Sequence, residues 1–322
     1  MTIDINTFSS DDDGSSTEAA SNSDSASLTS VIHQHVSYRG RQYNLHQIER
    51  YPLPSDGMER DREDMTHLMM LEATEEKYFL SHIGDCPRKI IDLGTGTGIW
   101  AVEVGDLYPD AAVTGVDLRP IQAHWTPPNV NFVVDDIEEE WLNGGNFDLI
   151  HARHVCPFIK QPAALVTKAF DNLKPDGWIE IQDLDYITFS DDHTSGKSQN
   201  NPIDQFLDLA TDIWAKLDTD MRIAPKLGSV LQEAGFENVS CTTYKVPIGT
   251  WPDDQKLKSL GKYLQIILDM LIPAICLNPT VPPPGWDETE NRAFIERCRR
   301  SLKDGSVQSY MQFCFWTGQK PV

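Results

Sequence analysis

The sequence predicts an α/β protein in which a mostly parallel sheet is covered by helices on both faces. Three observations carry that prediction. Short apolar runs alternate with stretches of helical periodicity, which is the pattern of strands joined by crossover helices. A glycine-rich turn links the first of these runs to its helix. The last run, Gln308 to Thr317, alternates Tyr310, Gln312, Cys314 and Trp316 with Met311, Phe313 and Phe315, as a strand does. At 322 residues and 40% hydrophobic composition, the chain can bury a core without disulfide staples.

Along the chain, residues 1–35 form an acidic, Ser-rich tail with too few large apolar side chains to offset its ordering entropy. Residues 36–86 follow as a second unit. It opens with an aromatic and basic stretch that ends in Tyr51-Pro52-Leu53-Pro54-Ser55-Asp56, where the prolines impose extended backbone. The apolar spacing of Met65, Leu68, Met69 and Phe79 then predicts a helix from Asp56 to His82.

The core occupies residues 87–322. Its first strand is Lys89 to Leu93, closed by Gly94-Thr95-Gly96-Thr97-Gly98 and followed by a helix through Ile99, Val102, Val104 and Leu107. Further strands are Ala112 to Leu118, Asn131 to Val134, Phe147 to Ala152 and Trp178 to Leu184. A helix stopped by Gly235 precedes a sixth strand, Ser240 to Val246. Two insertions, 188–228 and 251–306, interrupt the alternation and contain helices at Phe206–Leu217, Leu257–Ile272 and Asn291–Leu302. Insertions of this size usually carry function, and a substrate lid is the role expected here.

The net charge of −22 argues against nucleic acid as a partner, because phosphate binding needs clustered Lys and Arg. Six of the acids lie in the first thirty residues, so most of the acidity belongs to the remainder. The six cysteines lie far apart without a C-x-x-C pair, which predicts reduced thiols and no metal. No apolar run reaches the ~20 residues a bilayer requires; the nearest, around Leu264–Leu277, is interrupted by Asp269 and Pro273. The N-terminus lacks the pattern of a signal peptide. A cytoplasmic protein without a membrane partner is expected, with the nucleus left open.

The strongest motif is Asp92-Leu93-Gly94-Thr95-Gly96-Thr97-Gly98, placed where a strand hands over to a helix. Glycines there allow positive φ and close approach of a ligand to the backbone. Asp117 ends the second strand about 20 residues on, where an acid can accept hydrogen bonds from both hydroxyls of a ribose. A strand-end Asp also serves as a turn or capping residue. Asp135-Asp136-Ile137 suits an adenine amino group, with the Ile packing on the ring, and can equally be a solvated acidic loop.

Taken in order with Gly115-Val116-Asp117, Phe147-Asp148-Leu149-Ile150 and Leu173-Lys174-Pro175-Asp176-Gly177-Trp178, these motifs resemble the class I S-adenosylmethionine-dependent methyltransferases over roughly Ile90 to Thr317. The resemblance implies a Rossmann-like seven-stranded sheet with its last strand antiparallel, and S-adenosyl-L-methionine as cofactor. It implies cofactor contacts from Asp92, Gly94, Thr95, Gly96, Gly98, Asp117, Leu118, Asp135, Asp136, Ile137, His151 and Arg153. Upstream, Tyr51 to Asp56 with Glu59, Arg62 and His67 is similar to fungal methyltransferases of secondary metabolism. That group includes relatives of the regulator LaeA and O-methyltransferases of roquefortine- and meleagrin-type indole alkaloids. In such proteins the upstream segment covers the cofactor, with Tyr51 as a lid contact or as a packed aromatic.

In an open parallel sheet the ligand lies beyond the carboxyl ends of the strands. His154 follows the fourth strand and is the candidate general base, with Asp183 after the fifth strand and His193 in the loop beyond as further catalytic candidates. His151, inside its strand, can instead be a hydrogen-bonded core residue. The implied reaction is O-methylation of a hydroxylated aromatic or alkaloid small molecule by a monomer or homodimer; a nuclear regulator and N- or C-methylation are the alternatives.

Overall fold

A computed structural model describes residues 34–44, 51–122, 125–141, 144–190, 201–279, 285–304 and 308–322. The proposed tail up to residue 33 and His193 lie outside the described residues.

The sheet has seven strands: β3 (Lys89–Leu93), β4 (Ala112–Asp117), β5 (Val130–Val134), β6 (Phe147–Arg153), β7 (Leu173–Ser190), β8 (Glu237–Pro247) and β9 (Ser309–Gln319). Their order is β5-β4-β3-β6-β7-β9-β8. The first five run parallel, and β9 is antiparallel to both of its neighbours. β3 and β6 are buried almost throughout, which is why they read as continuous apolar runs rather than as alternations.

Helices α2 (Ile99–Leu107), α3 (Pro162–Asn172) and α5 (Leu227–Glu233) cover the faces. Trp100 and Val104 of α2 close one core against Ile90, Val113 and Leu149, while Leu165 and Val166 of α3 and Leu231 of α5 close another against Ile150 and Ile179. A third core gathers the insertion helices α4 (Pro202–Ala215), α6 (Gln255–Cys276) and α7 (Glu288–Asp304) with α1 (Gly57–Thr74). Asn201 and Asp254 cap α4 and α6 by accepting the amides of Ile203 and Leu257. Among the described residues α6 is long and apolar enough to cross a membrane, yet Leu260, Leu264, Leu268 and Ile272 along it are buried in this core.

Upstream lies a two-stranded hairpin, β1 (His35–Tyr38) with β2 (Arg41–Asn44). Arg41 pairs with Asp56 at 2.6 Å, and Asp56 caps α1 by accepting the Glu59 amide.

Several boundaries differ from expectation, two of them by more than four residues. The helix expected to run to His82 ends at Thr74, with Glu75 and Glu76 both at positive φ. Tertiary partners claim the following segment. The buried Glu180 carboxylate accepts the amides of Leu80 and Ser81, and Trp100 and Gln182 donate to the Tyr78 carbonyl. β7 also runs from Leu173 to Ser190, well beyond the expected Trp178 to Leu184, because Leu173 pairs with Phe147 of β6 at one end and β9 continues to pair past a bulge at the other.

Candidate functional site

The parallel strands end along one edge, and a single cleft of about 1280 Å³, counting its open mouth, runs across it. At the β5 end it is lined by Asp135, Asp136 and Ile137, next by Asp117 and Leu118 of β4, then by Asp92, Gly94, Thr95 and Gly96 after β3, and then by Arg153 and His154 after β6. Gly94, Gly96 and Gly98 all sit at positive φ, +66°, +58° and +84°. Asp92 holds the base of the loop by accepting the Thr95 hydroxyl at 2.6 Å.

Asp117 is buried, and its two oxygens accept the Gly96 amide at 2.8 Å and the Arg119 amide and Nε at 2.9 and 3.3 Å. Burial raises its pKa, against the opposing pull of Arg119. Arg119 in turn donates to Glu63 at 2.8 Å and lies over the Tyr51 ring at 4.5 Å. Burial works against the Arg119 charge, but Glu63, Tyr51 and Asp117 outweigh it. Tyr51 thereby joins the lid segment to the β4 acid. Asp135 and Asp136 cap their own loop, accepting the amides of Asp136 and Glu138.

Above the glycine loop lies the polar face of α1. Glu59, Arg62, Glu63, Thr66 and His67 recur at the spacing of one helical face, and that face points inward. Thr97 of the loop donates to Asp64 at 2.6 Å. A Cβ on Gly96 would lie 2.7 Å from Glu63 Oε2, so the carboxylate rests directly on the loop. Glu63 Oε2 itself is buried and has no hydrogen-bond partner.

His154 lines the cleft with φ +55°, a conformation that non-glycine residues adopt only when their surroundings impose it. Its amide donates to the Gln182 carbonyl at 3.0 Å, and its ring meets Phe313 edge-on. Burial, reinforced by Arg153 and Arg62, lowers its pKa to about 3, so the ring is neutral at physiological pH.

Three of the expected site residues do not line the cleft: Gly98, where a Cβ would stand 2.3 Å from the Phe132 ring, and His151 and Asp183. His151 is fully buried behind it, with Nδ1 2.7 Å from Asp92 and its ring stacked on Trp100 at 3.7 Å. Its partners are the core and the base of the glycine loop, so it braces Asp92 rather than lining the site. Asp183 is also fully buried. Its carboxylate faces the Cys156 thiol and the amides of the His154–Cys156 turn without ordinary hydrogen-bond geometry, and burial pushes its pKa up to about 7. It underlies the turn that presents His154.

Past His154 the cleft becomes apolar. Tyr51, Phe158 and Trp214 form a chain of ring contacts, 5.1 and 5.7 Å between centroids, and Leu53, Tyr186, Met221, Leu271 and Ile275 complete the wall. Of the insertion aromatics and methionines, Trp214 and Met221 reach the cleft, whereas Phe206 belongs to the core and Trp251 donates to the Ser309 carbonyl.

A methyltransferase domain profile matches residues 62–241, more than half of the chain. The chain is 32% identical over 300 residues to "Methyltransferase pytC" of Aspergillus terreus, covering 92% of this chain and 91% of that protein. The chain belongs to the methyltransferase domain family. This methyltransferase is also 30% identical over 289 residues to "Secondary metabolism regulator LAE1" of Cochliobolus heterostrophus, covering 88% of this chain and 94% of that one. A solved phosphoethanolamine N-methyltransferase of Haemonchus contortus overlays at TM-score 0.47 with 13% identity, covering 92% of this chain and 73% of that one, too loosely to bear on function.

The class I fold and the cofactor S-adenosylmethionine follow from family membership, and the cleft fits that cofactor. The buried, unpartnered Glu63 Oε2 lies in this cleft, and Asp117, Asp135 and Asp136 beside it are acids suited to hydroxyls and amines. Glu63, Arg119 and Phe158 were missed by sequence reasoning. The signal for Glu63 was present, as the polar stripe on α1, but a charged helical face ordinarily reads as solvent-exposed.

Proposed function

We propose that this methyltransferase transfers the methyl group to a hydroxyl of a flat aromatic or alkaloid metabolite, of phenol or N-hydroxy type, in the cytoplasm. The observation that carries the reading is the continuity of the cleft: the cofactor seat opens directly into the aromatic chamber of Phe158, Tyr186, Trp214 and Met221. Mostly apolar walls with few polar groups are what small-molecule sites use.

S-adenosylmethionine supplies a methyl group already activated on a sulfonium. Ile137 would pack on the adenine beside Asp135 and Asp136, and Asp117 would accept from the ribose. A carboxylate offers about four acceptor positions, and three at Asp117 are taken by Gly96 and Arg119. One ribose hydroxyl therefore fits there, and Glu63 Oε2 is the nearby free acceptor for the other. Tyr51 and α1 close the seat and exclude water, so alignment supplies much of the acceleration.

His154 stands where the two halves of the cleft meet. With a pKa near 3 it is a hydrogen-bond acceptor that orients a hydroxyl, not a base that holds its proton. Such a site favours an acceptor that ionises readily by itself. The likeness to LAE1 supports a second reading, in which the chain regulates secondary metabolism through protein partners; N- or C-methylation is a third. Incubation with methyl-labelled S-adenosylmethionine, hydroxylated fungal metabolites and a protein extract separates them. Label in oxygen-linked methyl groups of small molecules is expected, and label confined to protein would overturn the proposal.

A further inference from the structure

Among the described residues the cleft contains one guanidinium that no carboxylate meets within ion-pair distance, although Asp92 and Glu103 act on it from further away. Arg119 pairs with Glu63 and Asp117, and Arg62 pairs with Glu59 at 2.7 Å. Arg153, by contrast, makes a single polar contact among the described residues: its NH2 group donates to Nδ1 of His67 at 2.9 Å. Removing a cation from water without a close partner is costly, and burial lowers the Arg153 pKa to about 10 against the longer-range pull of Asp92 and Glu103.

The partner is chosen in a particular way. A guanidinium has donors only, so Nδ1 of His67 must be the unprotonated nitrogen. The proton is then on Nε2, which lies 2.6 Å from Glu103 Oε2. The fully buried ring is neutral, with burial and Arg153 lowering its pKa to about 3. Arg153 is thus aimed by a lone pair that leaves its charge intact, while the carboxylate that fixes the tautomer stays on the far side of the ring.

Strand order says which charge is awaited. Along the edge come β5 with Ile137, β4 with Asp117, β3 with the glycine loop, and β6 with Arg153. The cofactor's parts come in the order adenine, ribose, sulfonium, amino acid. With adenine at β5 and ribose at β4, the amino-acid end reaches β6, and that end carries the molecule's one carboxylate. We infer that Arg153 binds this carboxylate and that His67, set by Glu103, is the residue that positions it. The inference rests on the adenine and ribose placement proposed above and is independent of which acceptor is methylated.

Calorimetric titration with two probes tests it. S-adenosylhomocysteine has the amino-acid end; 5′-methylthioadenosine shares the adenine, ribose and thioether but lacks it. Arg153→Met should weaken S-adenosylhomocysteine about 10- to 100-fold, the range for hydrogen bonds to charged groups, and leave methylthioadenosine unchanged. His67→Ala should weaken the same probe by a smaller factor, and His67→Asn, whose amide oxygen stands near the Nδ1 position, should recover part of the loss. If Arg153→Met does not fold, Arg153→Lys keeps the charge but not its aim, and should show a smaller loss confined to the same probe. Equal losses for both probes, or none, would overturn the Arg153 assignment alone. Failure of the wild type to bind methylthioadenosine would overturn the nucleoside placement, and the inference with it.

Discussion

The two halves of the cleft are built by different means. The proposed cofactor half is polar and takes most of its contacts from strand ends that are neighbours in the sheet, with Tyr51 and the inward face of α1 laid over them. The proposed acceptor half is apolar and assembled from Phe158, Trp214, Met221, Leu271 and Ile275, which stand on a turn, a loop and helices of two separate insertions. The first is fixed by the topology of the sheet, the second by packing between inserted helices. Changes in one half should therefore leave the other nearly untouched.

The hardest test of that separation is Trp214→Ala. Trp214 is 2% exposed in the insertion core. Its loss should lower unfolding free energy by about 3–5 kcal/mol in urea titration, with S-adenosylhomocysteine affinity unchanged. A parallel loss of affinity would break the comparison.

Asp183 sharpens it, because this acid sits beneath the junction of the halves. Its pKa of about 7 in the folded chain compares with about 3.9 when unfolded. For an acid raised in this way the folded state keeps the proton over the interval between the two values. The stabilisation is complete below about pH 4 and disappears as pH rises through 7. Relative to Asp183→Asn, the wild type should lose on the order of 4 kcal/mol between pH 4 and 8, at 1.36 kcal/mol per unit. A difference that stays flat with pH would contradict the protonated, buried acid.

The smallest expected effect belongs to His154→Ala. Turnover should fall about tenfold, the worth of one hydrogen bond to the reacting hydroxyl, while cofactor affinity stays the same. The wild-type rate should show no inflection near pH 6.5, since the imidazole is already neutral there. An inflection lost in the variant would restore His154 as a titrating base.

How much of this was legible in the sequence follows the same division. The glycine loop, Asp117 and the Asp135–Ile137 turn could be located because their geometry is set by residues adjacent in sequence. The chamber could not, since Trp214 and Leu271 meet only after the insertions pack, and Phe206 has the same composition signal as Trp214 while lying wholly in the core. His151 and Asp183 were placed near the right edge, but both strands are buried on both faces there, and a strand's register does not say which residue tops the edge. The α1 stripe was visible as a pattern. Its inward direction depended on Arg119 and Arg153, cations brought from other elements.

Titration of S-adenosylhomocysteine into Asp117→Ala and Met221→Ala, side by side with the wild type, tests the separation of the halves most directly. Asp117→Ala should weaken binding at least about tenfold, as expected for a hydrogen bond to a charged acceptor, and Met221→Ala should bind as the wild type does. Equal losses in the two variants, or a loss confined to Met221→Ala, would contradict the account.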